Sequence, residues 1–299
     1  MKERKVNLYR LSRIWREYSE FRRPQIAPST YLRDYSKFEK RLVILRKVSP
    51  RLNNAIAIRD WMMQHYSPET TRRTLAAFNA CCRWAMESNL MMTNPFEGVQ
   101  KHIRKARQSE MSWAAFTLDE RDAIIQEFEM SNPFYAPWVK FLFWTGCRPE
   151  EAAALRWQHI KGGTEILFAI AHPSDMAEPQ RTKNHKITRF PCNPRLSSLL
   201  ADLRAPGASR DDLIFKSRVG SRFNYTNFQT RYWKPTVHEL VDRGVVAFYL
   251  SQYHARHTFI TEALNHLSVA DVSYLCRVST KVLYDHYAGR SRHVVIPEF

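Results

Sequence analysis

The chain has 299 residues and carries 46 lysines and arginines against 29 aspartates and glutamates, a formal net charge of +17. That excess points to a polyanionic partner, nucleic acid before an anionic membrane. Its eight glycines have neither P-loop nor dinucleotide-fingerprint spacing, which excludes those ways of holding a nucleotide. The most apolar stretch, Tyr135 to Gly146, is short and interrupted by Lys140, so no run is long enough to span a bilayer. The first twenty residues, MKERKVNLYRLSRIWREYSE, are charged throughout and lack the apolar centre of a signal peptide. Cys81, Cys82, Cys147, Cys192 and Cys276 are odd in number and scattered. They read as free thiols in a reducing compartment, not as a disulfide framework or a zinc site. The expectation is a cytoplasmic, nucleoid-associated protein with no membrane partner.

The length suggests two domains. Residues 1 to about 108 read as all-helical, with helices over Lys5–Phe21, Ser29–Arg41 and Thr71–Ser88. In the last of these, Leu75, Phe78, Cys82 and Ala85 recur at helical spacing, while Arg72, Arg73 and Arg83 lie off the stripe. The polar, basic run Val99 to Ser112 follows Asn94-Pro95 and reads as a linker. The second domain, from about 113 to 299, opens with Thr117 as a helix cap and Glu120 completing a capping box. A buried apolar helix over Tyr135–Trp144 should end at Gly146. Pro149 then suits the first position of the next helix, and Glu150 and Glu151 its first turn. Strand-like runs fall at Glu165–Ala171, Pro179–Lys183, Lys186–Pro191 and Leu213–Phe215, with residues 183–186 as a hairpin turn. Helices resume from about Tyr225. The fold class expected is mainly α with a small antiparallel sheet: an all-α N-terminal domain, then an α+β domain.

Four segments could carry chemistry. In TGCRPEEAAALRW, Arg148 precedes a helix N-terminus, where its charge opposes the dipole unless an anion arrives there. Glu151 could hold its guanidinium, and a plain surface Arg–Glu pair is the alternative. In YHARHTFITEALNHL, Arg256 heads an apolar stripe through Ile260, Ala263 and Leu267, so a buried charge there needs a partner, either a carboxylate or a phosphate. Tyr253, His254 and His257 surround it. In QRTKNHKITRF, Arg181, Lys183, Lys186 and Arg189 form a basic finger, or else a lysine-guarded edge strand. In STKVLYDHYAGRSR, Tyr284 and Tyr287 share a helix face.

Taken in this order, the four segments resemble the tyrosine recombinase, or phage-type integrase, family. ARHTFIT and the ending Tyr284-x-x-Tyr287-Ala-Gly are the most specific of them. The resemblance covers about residues 115 to 290, and the helical first part looks like the family's core-binding, SAM-like domain. It implies that Arg148 and Arg256 clamp the non-bridging oxygens of a scissile phosphate. It implies that Tyr287, rather than Tyr284, is the nucleophile that forms a 3′-phosphotyrosyl link and frees a 5′-hydroxyl. Lys183 would be the acid for the leaving oxygen, and Glu151 and His257 would support the site. No metal and no cofactor are implied.

Two positions depart from the family pattern. Tyr253 stands where the first His of His-x-x-Arg is usual, so it is the expected phosphate ligand there. Val278 stands where a later His or Trp is usual, and Arg277 is expected to supply that donor. The implied activity is site-specific strand exchange that integrates or excises a mobile element. The implied partners are double-stranded DNA with short inverted-repeat core sites and a homotetramer bridging two such sites. Two alternatives stay open, a catalytically impaired DNA-binding relative and a type IB topoisomerase-like enzyme. No arm-binding domain is expected ahead of the first helices, and the tail RSRHVVIPEF is expected to pack on a neighbouring subunit.

The charge is uneven. Residues 1–110 hold 23 basic and 10 acidic side chains, whereas residues 111–299 hold 23 and 19. The first part is therefore the expected grip on the duplex, through Arg72, Arg73, Arg83, Lys101, Arg104, Lys105 and Arg107, with Arg181 and Lys186 adding to it from the second.

Overall fold

A computed structural model of the chain describes residues 5–48, 51–104, 110–174, 176, 178–181 and 187–287. The chain divides into two compact units, Met1–Gln108 and Ser109–Phe299.

The first unit is built on helices α1 (Leu8–Arg22), α2 (Pro28–Thr30), α3 (Ser36–Val48), α4 (Ala55–His65) and α5 (Pro68–Glu87). A π-helical turn, Tyr31–Tyr35, joins α2 to α3, so the expected Ser29–Arg41 helix is one longer, locally wound segment. Side-chain caps set three of the starts: Asn7 accepts from Arg10 N, Asn54 from Ile56 N and Ala57 N, and Ser67 from Thr70 N. Helix α4 was not evident from the sequence, because Ala55, Ile58 and Met62 make too narrow an apolar stripe to stand out. In α5, Leu75, Phe78, Cys82 and Ala85 are buried as expected, and Thr71, Thr74, Asn79 and Cys81 widen that face. Val99 and Ile103 join the same core, so the start of the expected linker belongs to this unit.

The second unit opens with α6 (Leu118–Ser131), which carries the Thr117–Glu120 capping box. Helix α7 (Ala136–Thr145) is buried and closed by Gly146 in the left-handed region at φ 57°. A Cβ there would lie 2.5 Å from Cδ1 of Phe259, so both the turn and the close approach call for glycine. A one-turn helix, α8 (Pro149–Ala152), follows.

The sheet differs from expectation. Strands β1 (Ile160–Lys161), β2 (Glu165–Phe168) and β5 (Thr188–Pro191) form one antiparallel sheet in the order β1-β2-β5, while β3 (Ile170–Ala171) pairs with β4 (Gln180–Arg181). Phe168 faces Thr188, and Ile170 faces Arg181. Residues 165–171 are thus one outgoing arm, and β4 and β5 are both on the returning arm. The antiparallel partner of β4 is β3, not β5 as expected, and the expected turn at 183–186 lies outside the described residues. The alternation of polar and apolar residues marked the strands but not which pairs with which. Lys183 and Lys186 lie outside the described residues. The expected strand at Leu213–Phe215 is a single bridge, Arg156 to Leu213.

Helices α9 (Pro194–Leu203), α10 (Tyr225–Phe228), α11 (Lys234–Asp242), α12 (His254–His266), α13 (Val269–Cys276) and α14 (Thr280–His286) complete the unit. Its main core gathers Trp138, Phe141, Phe168, Phe228 and Trp233. A smaller cluster under α12, α13 and α14 holds Ile260, Leu264, Val272, Cys276, Leu283 and Tyr287. No helix among the described residues is long and apolar enough to cross a membrane.

Candidate active site

Three chain turns meet at the backbone of residues 276–277. Arg148 is the residue before α8, with an extended backbone. Its amide N–H donates to Glu151 Oε2 at 2.8 Å, and its Nη1 donates to Glu151 Oε1 at 2.8 Å. Its Nη2 donates to the carbonyl of Arg277 at 3.2 Å. Arg256, in the first turn of α12, is 3% exposed. It donates through Nη1 to Gly146 O at 2.8 Å and through Nη2 to Cys276 O. Two arginines far apart in sequence therefore donate to successive carbonyls of one turn. Like charges brought to one turn need compensation.

Glu151 supplies that compensation. It is 1% exposed and accepts from both Arg148 and Arg277. Arg277 donates to it through Nε at 3.1 Å and Nη2 at 2.7 Å, a bidentate grip. Burial opposes the carboxylate, but the charges of Arg277 and Arg148 outweigh it and hold the Glu151 pKa below its ordinary value. Burial likewise opposes the Arg148 cation, and Glu151, followed by Tyr253, raises its pKa above the usual arginine value. The surface-pair alternative for Arg148 and Glu151 is therefore excluded by the burial of the carboxylate.

Arg277 is a correction to the sequence reading. It was expected to supply a missing phosphate donor. Instead, Nη1 donates to Leu275 O at 2.8 Å, the other edge grips Glu151, and the guanidinium carbon lies 4.3 Å from the centre of the Phe168 ring. Its backbone is left-handed at φ 55°, which aims its carbonyl at Arg148. Arg277 is a strut behind the two arginines. Val278 packs its side chain on the smaller cluster and exchanges bonds with Ser273.

Tyr287 follows the last turn of α14 and is 2% exposed. Its hydroxyl is hydrogen-bonded to Nδ1 of His257, the residue after Arg256. Trp113 meets both rings edge-on, at 5.3 Å from His257 and 5.7 Å from Tyr287, and stacks on His286 at 3.8 Å. Tyr284 points outward at 62% exposure, so the two candidate tyrosines are in opposite surroundings. Tyr253 precedes α12, is 39% exposed, and lies 5.4 Å from the His257 ring. His254 is held aside by Ser251.

No protein-family model matches the sequence, and no curated protein matches it. Solved structures do match. The Tn1549 transposon integrase in complex with circular intermediate DNA has a TM-score of 0.76 at 13% identity, over 94% of this chain and 96% of that one. The lambda integrase tetramer bound to a Holliday junction has a TM-score of 0.71 at 13% identity, over 98% and 81%. Lambda integrase bound to DNA has a TM-score of 0.67 at 12% identity, over 96% and 99%. The chain has the tyrosine-recombinase integrase fold.

Within that integrase fold, Arg148, Glu151, Arg256 and Arg277 come together, with His257 and Tyr287 joined beside them. Lys183 and Lys186 are outside the described residues, as are Lys105 and Arg107, and nothing is described of the Arg181 side chain. In the first unit, Arg83, Lys101 and Arg104 are exposed. Arg72 is paired with Glu69 at 2.7 Å, and Arg73 with Asp34 at 3.0 Å. Sequence reasoning missed Trp113, which lies just beyond the basic run and shows no periodicity that would tie it to the C-terminal helices. It also missed Phe168, because a strand aromatic under a cation looks like any core residue.

Proposed function

We propose that the protein is a site-specific DNA recombinase of the tyrosine type, breaking and rejoining DNA to integrate or excise a mobile element. The observation that carries this is the pair of guanidinium groups, Arg148 and Arg256, tethered to the successive carbonyls of residues 276 and 277. A tethered pair of planar cations suits one phosphate bearing two non-bridging oxygens. Each preorganised donor of this kind is worth about 10²–10³ in rate, because charge that builds up in the transition state meets dipoles already in place.

In this reading Tyr287 Oη attacks the phosphorus, the Oη–P bond forms and the P–O5′ bond breaks. The product is a 3′-phosphotyrosyl strand, and the bond energy is kept for rejoining. Lys183 protonates the leaving 5′ oxygen, and Tyr253 adds a hydrogen bond to the phosphate from its half-exposed position beside Arg148. Glu151 and Arg277 hold Arg148 in line. The buried Tyr287 hydroxyl has to be uncovered as the phosphate arrives.

Residues 1–108 serve as the core-binding half and residues 113–299 as the catalytic half. The partner is double-stranded DNA with short inverted-repeat sites, and four copies assemble on two sites. The solved structures of integrases on circular intermediate DNA and of a tetramer on a Holliday junction support this choice. A second reading, a DNA-binding relative without activity, is favoured by Val278 at a position where the family has a donor.

A covalent-trapping assay separates the two. Genomic fragments carrying a nick that lets the cleaved end diffuse away should capture the wild-type chain covalently. Tyr287→Phe should abolish capture and Tyr284→Phe should not. Specific DNA binding without any covalent product would establish the second reading, and loss of capture only in Tyr284→Phe would reassign the nucleophile.

A further inference from the structure

We infer that His257 is the general base that activates Tyr287, a role that rests on the recombinase reading above. The phenol of a tyrosine is a weak nucleophile while it keeps its proton, since its pKa lies near 10. Something must take that proton as the oxygen attacks.

The polar groups of the site differ sharply in chemistry. Glu151 is committed to two arginines, which leaves it a poor acceptor of another proton. Tyr253 is itself a phenol, and Val278 has no donor or acceptor on its side chain. His257 has an imidazole nitrogen, Nδ1, on the Tyr287 hydroxyl itself. With the ring proton on Nε2, Nδ1 carries the lone pair and the phenol donates to it.

The surroundings fix this pair. His257 is 4% exposed, and its backbone sits in the first turns of α12, directly after the residue that grips Gly146 and Cys276. Trp113 covers the edges of both rings, and His286 stacks on its far side. Two further polar rings flank the imidazole, Tyr253 just before α12 at 5.4 Å and His254 at its first position at 5.1 Å. The base is thus held by packing rather than by a flexible surface side chain, and it stands one residue from a phosphate-binding arginine.

The phenol O–H bond breaks and its proton passes to Nδ1, while Oη forms a bond to phosphorus and the P–O5′ bond breaks. The 5′ oxygen takes its proton from the separate acid, Lys183. In rejoining, the 5′-hydroxyl gives that proton back, attacks phosphorus, and the departing phenolate recovers its own from Nδ1. His257 stays net unchanged over a cycle.

The test compares single-turnover attachment to two nicked DNA substrates, one with the ordinary 5′ oxygen and one with a bridging 5′ sulfur, which leaves without needing an acid. His257→Gln and His257→Asn should slow attachment to both substrates by roughly 100-fold or more, the size of a lost general base. Lys183→Ala should be slow only on the oxygen substrate. Added imidazole should restore much of the rate to His257→Ala. Unchanged melting temperature and DNA affinity keep a folding failure from imitating the result, and His257→Asn retains a polar group of similar reach if His257→Gln does not fold. Attachment by the variants at the wild-type rate or faster would overturn the assignment, and would mean that the contact only stores the tyrosine. So would a defect that the sulfur substrate cures. If the wild-type chain attaches to neither substrate, it is the recombinase reading that fails, and this inference with it.

Discussion

Replacing Glu151 by glutamine should unlock the centre of the second unit. The carboxylate accepts the Arg148 amide and Nη1, both at 2.8 Å, and the Arg277 Nε and Nη2, at 3.1 and 2.7 Å. Glutamine keeps one acceptor oxygen and turns an NH2 towards donors that have nowhere else to go. The buried Arg277 and the partly buried Arg148 lose their common counter-charge. Breaking a buried pair in this way costs about 3–5 kcal/mol. For a unit of this size, each kcal/mol moves the melting temperature by roughly 2–4 °C, so a drop of roughly 6–20 °C follows. Differential scanning calorimetry of the full chain reads it, with Asp285→Asn, which removes an exposed partner of Lys281, as the surface control.

The pH dependence has a definite sign. The Glu151 pKa is lowered on folding, so its stabilisation is complete above the unfolded carboxylate value, about 4.3. It fades as pH falls through the lower folded value. The gap between wild type and Glu151→Gln should therefore be constant from pH 7 to 5 and close in more acid solution. A variant that melts within 1–2 °C of wild type at pH 7, or a gap that widens in acid, would refute the account of Glu151 as shared counter-charge.

Two other outcomes follow from the same geometry. Gly146→Ala combines a left-handed backbone with a Cβ placed 2.5 Å from Phe259, and should cost roughly 2–4 kcal/mol in denaturant unfolding. It should also weaken DNA attachment, because the Gly146 carbonyl holds Arg256. Thiol labelling of the folded chain at pH 8 should begin at Cys192, the one cysteine that is not buried. Burial pushes the Cys82 and Cys147 thiols up to about 12 and Cys192 only to about 11, so mass spectrometry should find the first two unmodified until the chain unfolds.

The sequence carried the arginines and the tyrosine plainly, because each sits in a local pattern. Arg148 lies between a glycine stop and a proline start, and Arg256 heads an apolar stripe. The capping box at Thr117 and the closure of α7 at Gly146 were legible for the same reason, since caps are local chemistry. What was hidden depends on pairing across distance. That Arg277 turns inward follows from its φ of 55° and from Glu151 lying opposite it, which no window of sequence displays. The contact between His257 and Tyr287, and the tryptophan that covers them, join three separate stretches of chain. The pairing of the strands was misread because alternating residues reveal faces and not partners.

That sheet carries one more consequence. Between the pairing of Phe168 with Thr188 and that of Ile170 with Arg181, the outgoing arm holds the single residue Ala169 and the returning arm holds residues 182–187. The ladder resumes its antiparallel sense on both sides of this mismatch. The register of β5 on β2 is therefore set independently of the register of β4 on β3. A slip in the second pairing would leave every core-facing side chain of β5 on its own face.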